Sequence, residues 1–266
     1  MRINSSNEDI LLRTDSNGAV FLSLNRPDKL NTLSEAMLIA LQTELDDIAV
    51  DPSVRCVVIS AEGRGFCAGH DLQEMRSHPE REYYQALFKR CGKMMQSIVA
   101  LPVPVIAKVS GIAAAAGCQL VASCDLVIAA RSARFAVPGI NVGLFCSTPA
   151  VALSRSISAK RAFDMLVTGD VIDAETALDW GLISSVVADE ELDDAVAAKV
   201  VKILSKSPSA VRYGKSMFNP QRQMSLSEAY EFAGNVMAEN MMSPDAGEGI
   251  DAFLEKRKPT WVQPTR

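Results

Sequence analysis

Two short stretches of this chain place residues with almost no side chain where a strand hands over to a helix. Residues 65–72 read GFCAGHDL, and residues 104–125 read PVIAKVSGIAAAAGCQLVASCD. Small residues let a ligand approach the backbone closely, and the first turn of a helix leaves N–H groups without partners. Such amides suit an oxygen that is becoming negative. Proton-carrying side chains nearby are few. His70 is one of two histidines and can titrate near neutrality, whereas His78 sits beside Pro79 in a polar loop and reads as exposed. Glu74, a turn past the GHDL segment, reads as a solvated helix face. Asp125 reads as a partner for backbone or a cation. Ser147 or Thr148, ahead of Pro149, reads as a helix cap.

The surrounding pattern supplies the elements that hold these stretches. Ile10 to Arg13 and Ala19 to Leu24, joined by Ser16-Asn17-Gly18, predict a β-hairpin. Ser34 predicts the cap of a helix running to about Val50, with Leu38, Leu41, Leu45 and Ile48 on one face. Cys56 to Ser60 and Val105 to Val109 are short continuous apolar runs, as in strands covered on both faces. A helix from about Tyr83 to Val99 separates them, an alanine turn and short helix follow, and Leu126 to Ala129 predicts another strand. The alternation implies parallel strands with right-handed crossovers, so the two small-residue turns fall at strand ends that can face one another. Beyond Pro149 the only strand signal is Ile183 to Val187. Helices are predicted at Pro149 to Ser154, Ala159 to Leu166, Ala174 to Trp180, Glu190 to Ser205, Ala210 to Phe218, Leu226 to Met242 and Pro244 to Lys256. No Gly/Ser/Pro-rich joint divides the sheet-rich half from the helical half.

With 266 residues and 48% apolar content the chain can bury a large core. Its net charge of −5 gives no global basic field for nucleic acid or an anionic membrane. Gly111 to Ala130 carries a single formal charge over twenty residues, yet Gln119, Ser123 and Asp125 inside it favour a soluble core over a membrane span. The six cysteines form no C-x-x-C pair and no zinc spacing, so buried free thiols and no metal are expected. The opening MRINSSNEDI lacks a basic segment followed by an apolar one; no secretory signal is expected, and cytoplasm is the default.

Together these segments resemble the crotonase, or enoyl-CoA hydratase/isomerase, superfamily. The matching pieces are NRPDKLNTL at Asn25 to Leu33, GFCAGHDL, PVIAKVSGIAAAAGCQL, SCDLVIAA at Ser123 to Ala130, TGDVIDAETALDWGLIS at Thr168 to Ser184 and EGIDAFLEKRKP near the end. The GHDL, AAGCQLVASCD and PGINVGLFCSTP segments are similar to a subgroup of hydratase-domain proteins that lacks both catalytic glutamates. The resemblance implies an α/β spiral of ββα units over residues 1–200, a helical trimerisation region over 201–266, and assembly as a homotrimer or dimer of trimers. It implies an acyl-CoA thioester as ligand, with no separate cofactor because coenzyme A is part of the substrate.

Residue by residue, the resemblance puts two oxyanion-binding amides at His70 and Ala116. It sets Lys29 and Leu30 at the adenine end and Ala68, Asp71 and Leu72 along the same channel. Phe253 and Lys256 would reach the coenzyme A of a neighbouring subunit. Gln119 and Gly139 stand where the family's hydratases carry two glutamates, and Ser147 where some relatives carry an aspartate. The expected activity is therefore thioester-enolate stabilisation with weak or altered hydration; the alternatives are a CoA-ester decarboxylase and a non-catalytic acyl-CoA binder. Met94, Met95, Met237, Met241 and Met242 are expected as core filler rather than as an acyl tunnel.

Overall fold

A computed structural model describes residues 10–262. The opening MRINSSNEDI, on which the expectation of no secretory signal rests, lies almost wholly outside the described residues. Strands β1 (Leu11–Ser16) and β2 (Ala19–Leu24) form the predicted hairpin. Its two central residues, Asn17 and Gly18, both have positive φ (50° and 86°), the geometry of a tight turn that matches strand twist. Helix α1 (Glu35–Val50) follows, capped by the Ser34 hydroxyl accepting from the Met37 amide, with Leu38, Leu41, Leu45 and Ile48 buried as expected. Strand β3 (Cys56–Ala61) leads through a long loop into helix α2 (Leu72–Ser77) and helix α3 (Arg81–Ala100). Then come β4 (Val105–Val109), β5 (Ile112–Ala114), helix α4 (Ala116–Ser123), β6 (Leu126–Ala130) and β7 (Arg134–Ala136).

The second half runs α5 (Ser147–Ser156), α6 (Ala159–Thr168), β8 (Ile172–Asp173), α7 (Ala174–Trp180), β9 (Ser185–Val187) and α8 (Leu192–Leu204). Helices α9 (Pro208–Gln221), α10 (Leu226–Met241) and α11 (Pro244–Leu254) close it. Six strands form one sheet in the order β1-β2-β3-β4-β6-β9, parallel except for the hairpin; β5, β7 and β8 form a second, small sheet. The stretch expected as an alanine turn thus contains a strand. β5, β7 and β8 escaped sequence reading because each has only two or three residues, too few to show a period of two.

Alternation along the central strands builds two apolar layers. Val57, Ile59, Val105 and Ala107 face the main core with α1, α3 and α4, whereas Val58, Ile106 and Ile128 pack beneath Leu192, Val196 and Val200 of α8. Both faces being covered explains the unbroken apolar runs of β3 and β4. Met94 and Met95 are core residues, as expected, but Met237, Met241 and Met242 are exposed. No described helix is long and apolar enough to cross a membrane.

Candidate functional site

The loop after β3 is pinned by the Asn25 to Leu33 segment. Asn31 is fully buried; its side-chain amide donates to the carbonyls of Glu62 (2.9 Å) and Gly65 (2.8 Å), and its Oδ1 accepts from the Arg26 amide (2.8 Å). Farther along, the Cys67 amide donates to the Ile112 carbonyl, the Ala68 amide to the Leu30 carbonyl, and the Leu33 amide to the Gly69 carbonyl. The backbone of the GFCAG turn is therefore fixed from both sides.

The second turn comes up against it. Ala115 holds a positive φ (49°, with ψ −116°), unfavourable for a residue with a side chain, and is kept there by its amide donating to the Ala136 carbonyl at 2.9 Å. A Cβ built on Gly69 would stand 2.9 Å from the Ala115 methyl and 3.3 Å from the Ala116 nitrogen, so the two turns touch with no space between them. Two backbone N–H groups at this junction, those of His70 and Ala116, donate to no acceptor among the described residues. Ala116 is the first residue of α4, where no intrahelical acceptor exists and the helix dipole favours negative charge.

Beside the junction lies a cavity of about 580 Å³. Of the residues singled out from sequence, Lys29, Ala68, His70, Asp71, Leu72, Ala116, Gly139 and Ser147 line it. Leu30 lies outside its lining and reaches the site through its carbonyl, which holds the Ala68 amide. Gln119 is buried one turn into α4 and is not part of the lining; its Oε1 has no hydrogen-bond partner. Phe253 is exposed at the end of α11 and Lys256 lies just beyond, both away from this chain's own cavity.

Sequence reading missed Phe88 of α3, Met75 of α2, and Val142, Leu144, Phe145 and Cys146, which follow Gly139. Phe88 sits on a helix face indistinguishable by period from core. The Leu144-Phe145 pair, apolar between Gly143 and the start of α5, was the available signal.

Charges in the lining already have partners within the chain. Asp71 caps α2, its Oδ1 accepting from the amides of Gln73 (3.1 Å) and Glu74 (3.2 Å). Lys29 Nζ donates to Gln73 Oε1 at 3.2 Å. The His70 ring contacts Phe88 edge to face, with Nδ1 3.2 Å from the Leu33 carbonyl. That contact makes Nδ1 the protonated nitrogen and leaves Nε2, buried and without a partner, as an acceptor. Burial lowers the pKa of the ring against the smaller opposing pull of the carbonyl. Burial likewise pushes the Cys67 and Cys118 thiols up to about 12, and all six cysteines are free.

Three side chains differ from their sequence readings or refine them. Glu74 is half-buried and does not line the cavity: its Oε2 accepts from the Glu35 amide at 3.0 Å, at the start of α1. Ser147 does not cap α5; Cys146 is in the cap position without a side-chain bond, and the Ser147 hydroxyl donates to the Phe145 carbonyl. Asp125 accepts from the Val105 amide (2.8 Å) and pairs with Lys215, as its reading required. No group of three metal-ligating side chains occurs among the described residues.

The family profile described as Enoyl-CoA hydratase/isomerase matches residues 14–264. A Xenopus laevis protein named enoyl-CoA hydratase domain-containing protein 3, mitochondrial, is 47% identical over 90% of this chain and 81% of its own length. The crystal structure of an enoyl-CoA hydratase of Mycobacterium smegmatis superposes with a TM-score of 0.95 at 56% identity, covering 96% of this chain and 99% of that one. Human enoyl coenzyme A hydratase domain-containing protein 3 superposes at 0.92 and 45% identity, over 95% and 100% of the two chains. The cytoplasmic expectation is overturned, because curated relatives at 44–47% identity are named as mitochondrial proteins; an absent N-terminal pattern was a weak guide to compartment. With the profile spanning nearly the whole sequence and the crotonase fold matched throughout, the chain belongs to the enoyl-CoA hydratase/isomerase family.

Proposed function

We propose that the chain binds an acyl-CoA thioester and stabilises its enolate, the thioester oxygen accepting from the backbone amides of His70 and Ala116. The observation that carries this reading is the pair of unengaged amides on two touching turns. In other enzymes one such donor is worth about 10²- to 10³-fold in rate. Lys29, Leu30, Ala68, Asp71 and Leu72 would follow the coenzyme A portion, with Ser147 at the acyl side.

Hydration needs a group that takes a proton from water and returns one to carbon. The amide of Gln119 can orient a water but cannot serve as general base, and Gly139 offers no side chain; Asp71 is held by two helix amides. The expected result is weak or altered hydratase activity. A homotrimer or dimer of trimers is supported by the exposed apolar side chains of α10 and α11, among them Leu226, Tyr230, Met237, Phe253 and Leu254. It would also bring Phe253 and Lys256 to a neighbour's coenzyme A.

The test is loss of enoyl-thioester ultraviolet absorbance with crotonyl-CoA, run beside carbon dioxide release from methylmalonyl-CoA. Slow hydration is expected. Ordinary family hydratase rates that survive Gln119→Ala overturn the assignment of the site. Decarboxylation without hydration selects the decarboxylase alternative. A raised melting temperature with acyl-CoA but no turnover selects the binder.

A further inference from the structure

Resting on that reading, we propose that the acyl side of the cavity takes a medium or long uncharged hydrocarbon chain and rejects an acyl group bearing a second carboxylate. Three large apolar side chains of the loop after Gly139 are left substantially in solvent around this one opening: Val142 (62% exposed), Leu144 (49%) and Phe145 (45%). Scattered apolar residues on a surface need no explanation, but several around one cavity mark a ligand wall. Met75 and Phe88 extend that wall inward.

The wall is built rather than loose. The Leu144 amide donates to the Gly139 carbonyl (2.9 Å) and the Gly143 amide to the Ile140 carbonyl (3.1 Å), closing the loop on itself. The Asn141 side chain packs against Gly169 at the end of α6. An apolar face held in place this way gains from covering and loses little order when covered.

Charge in the lining points the same way. Lys29 is its only lysine or arginine, is itself exposed, and is already hydrogen-bonded to Gln73. No arginine lines the cavity to meet a carboxylate bidentately, and the other acidic or basic side chain of the lining beside Lys29 and His70, that of Asp71, is itself a carboxylate. Burial disfavours a charged His70 ring, against the smaller opposing pull of the Leu33 carbonyl, so the ring is no ready cation for a carboxylate. A malonyl- or succinyl-type group would leave water for a wall with nothing to pair it.

Calorimetric titration of the intact chain with free coenzyme A, butyryl-CoA, octanoyl-CoA and succinyl-CoA tests this without turnover. Each fully buried methylene is worth about fourfold in affinity, so octanoyl-CoA is expected to bind at least about tenfold tighter than butyryl-CoA at this open rim. Succinyl-CoA is expected to bind no tighter than free coenzyme A. Leu144→Ser with Phe145→Ser should flatten the dependence on chain length. Equal affinity for butyryl- and octanoyl-CoA, or tightest binding of succinyl-CoA, overturns the assignment while leaving thioester binding intact. If neither coenzyme A nor any thioester binds, the proposed function falls with it.

Discussion

Gly117 is pressed against the backbone of Cys67: a Cβ added to Gly117 would stand 2.8 Å from the Cys67 carbonyl carbon and closer still to its oxygen. That carbonyl also accepts from the Ala114 amide at 2.8 Å, so it cannot turn aside. The first turn of α4 and the GFCAG turn are thus held at a spacing only glycine allows, and the His70 and Ala116 amides take their relative position from it.

Gly117→Ala is therefore expected to destabilise the fold by about 3 kcal/mol, at the upper end of overpacking costs because the obstructing atoms are backbone. It should also weaken acyl-CoA binding in whatever protein remains folded. Urea unfolding measures the first and calorimetry the second. Gly234→Ala is the control: a Cβ there meets nothing within 4 Å, and the position is inside α10, so a gain of about 0.5–1 kcal/mol is expected.

Gly139 is not merely a site missing its carboxylate. A Cβ there would lie 2.6 Å from the Leu144 carbonyl oxygen and 2.7 Å from the Cys146 sulfur, so the loop that forms the cavity wall has closed into the space a side chain needs. Gly139→Glu is expected to cost about 1–3 kcal/mol of stability. Adding it to Gln119→Glu should give no more crotonyl-CoA hydration than Gln119→Glu alone. A large gain in the double variant would show that the loop reopens easily, and would remove the steric account.

Small residues at the strand–helix junctions marked the two turns in the sequence, and the family resemblance put the paired amides at His70 and Ala116 within them. Helix bounds fell within a few residues wherever a cap was present, as at Ser34, Asp173 and Ser225. What it missed has two physical causes. The strands of the second sheet are too short for periodicity, and their pairing with Cys67 through Ala113 is long-range. The hydrophobic wall is made by Phe88 and the 142–145 loop, whose roles depend on which way a helix face and an irregular loop turn. Gln119 could be placed on α4 by count, but not its burial outside the cavity lining with an unpaired oxygen.

The His70 ring predicts a pH dependence of stability. Burial holds its pKa below the ordinary value in the folded chain. Below the unfolded pKa of about 6.5, the unfolded chain binds more protons than the folded one, so stability falls as pH drops through that value toward the folded pKa. Unfolding free energies at pH 5.5 and 7.5 should therefore differ more in the wild type than in His70→Asn, whose amide can still donate to the Leu33 carbonyl. An unchanged difference would assign the acid sensitivity to other groups.

Lys215 and Asp125 form a largely buried ion pair, the Lys215 side chain 6% and the Asp125 side chain 21% exposed. It connects α9 to the point where α4 gives way to β6, while the other carboxylate oxygen holds the Val105 amide at the start of β4. Removing the cation leaves a carboxylate that is still bonded to backbone but has lost its counter-charge. Lys215→Ala is expected to cost about 2–3 kcal/mol, below the usual 3–5 for a wholly buried pair because Asp125 keeps some solvent contact. Asp125→Ala also loses the Val105 bond, so the double variant should fall short of the sum by 1 kcal/mol or more, as expected for coupled partners. Asp125 lies outside the cavity lining, so affinity for octanoyl-CoA should be unchanged in Lys215→Ala below its unfolding midpoint. Loss of affinity without loss of stability would instead place Asp125 in the site.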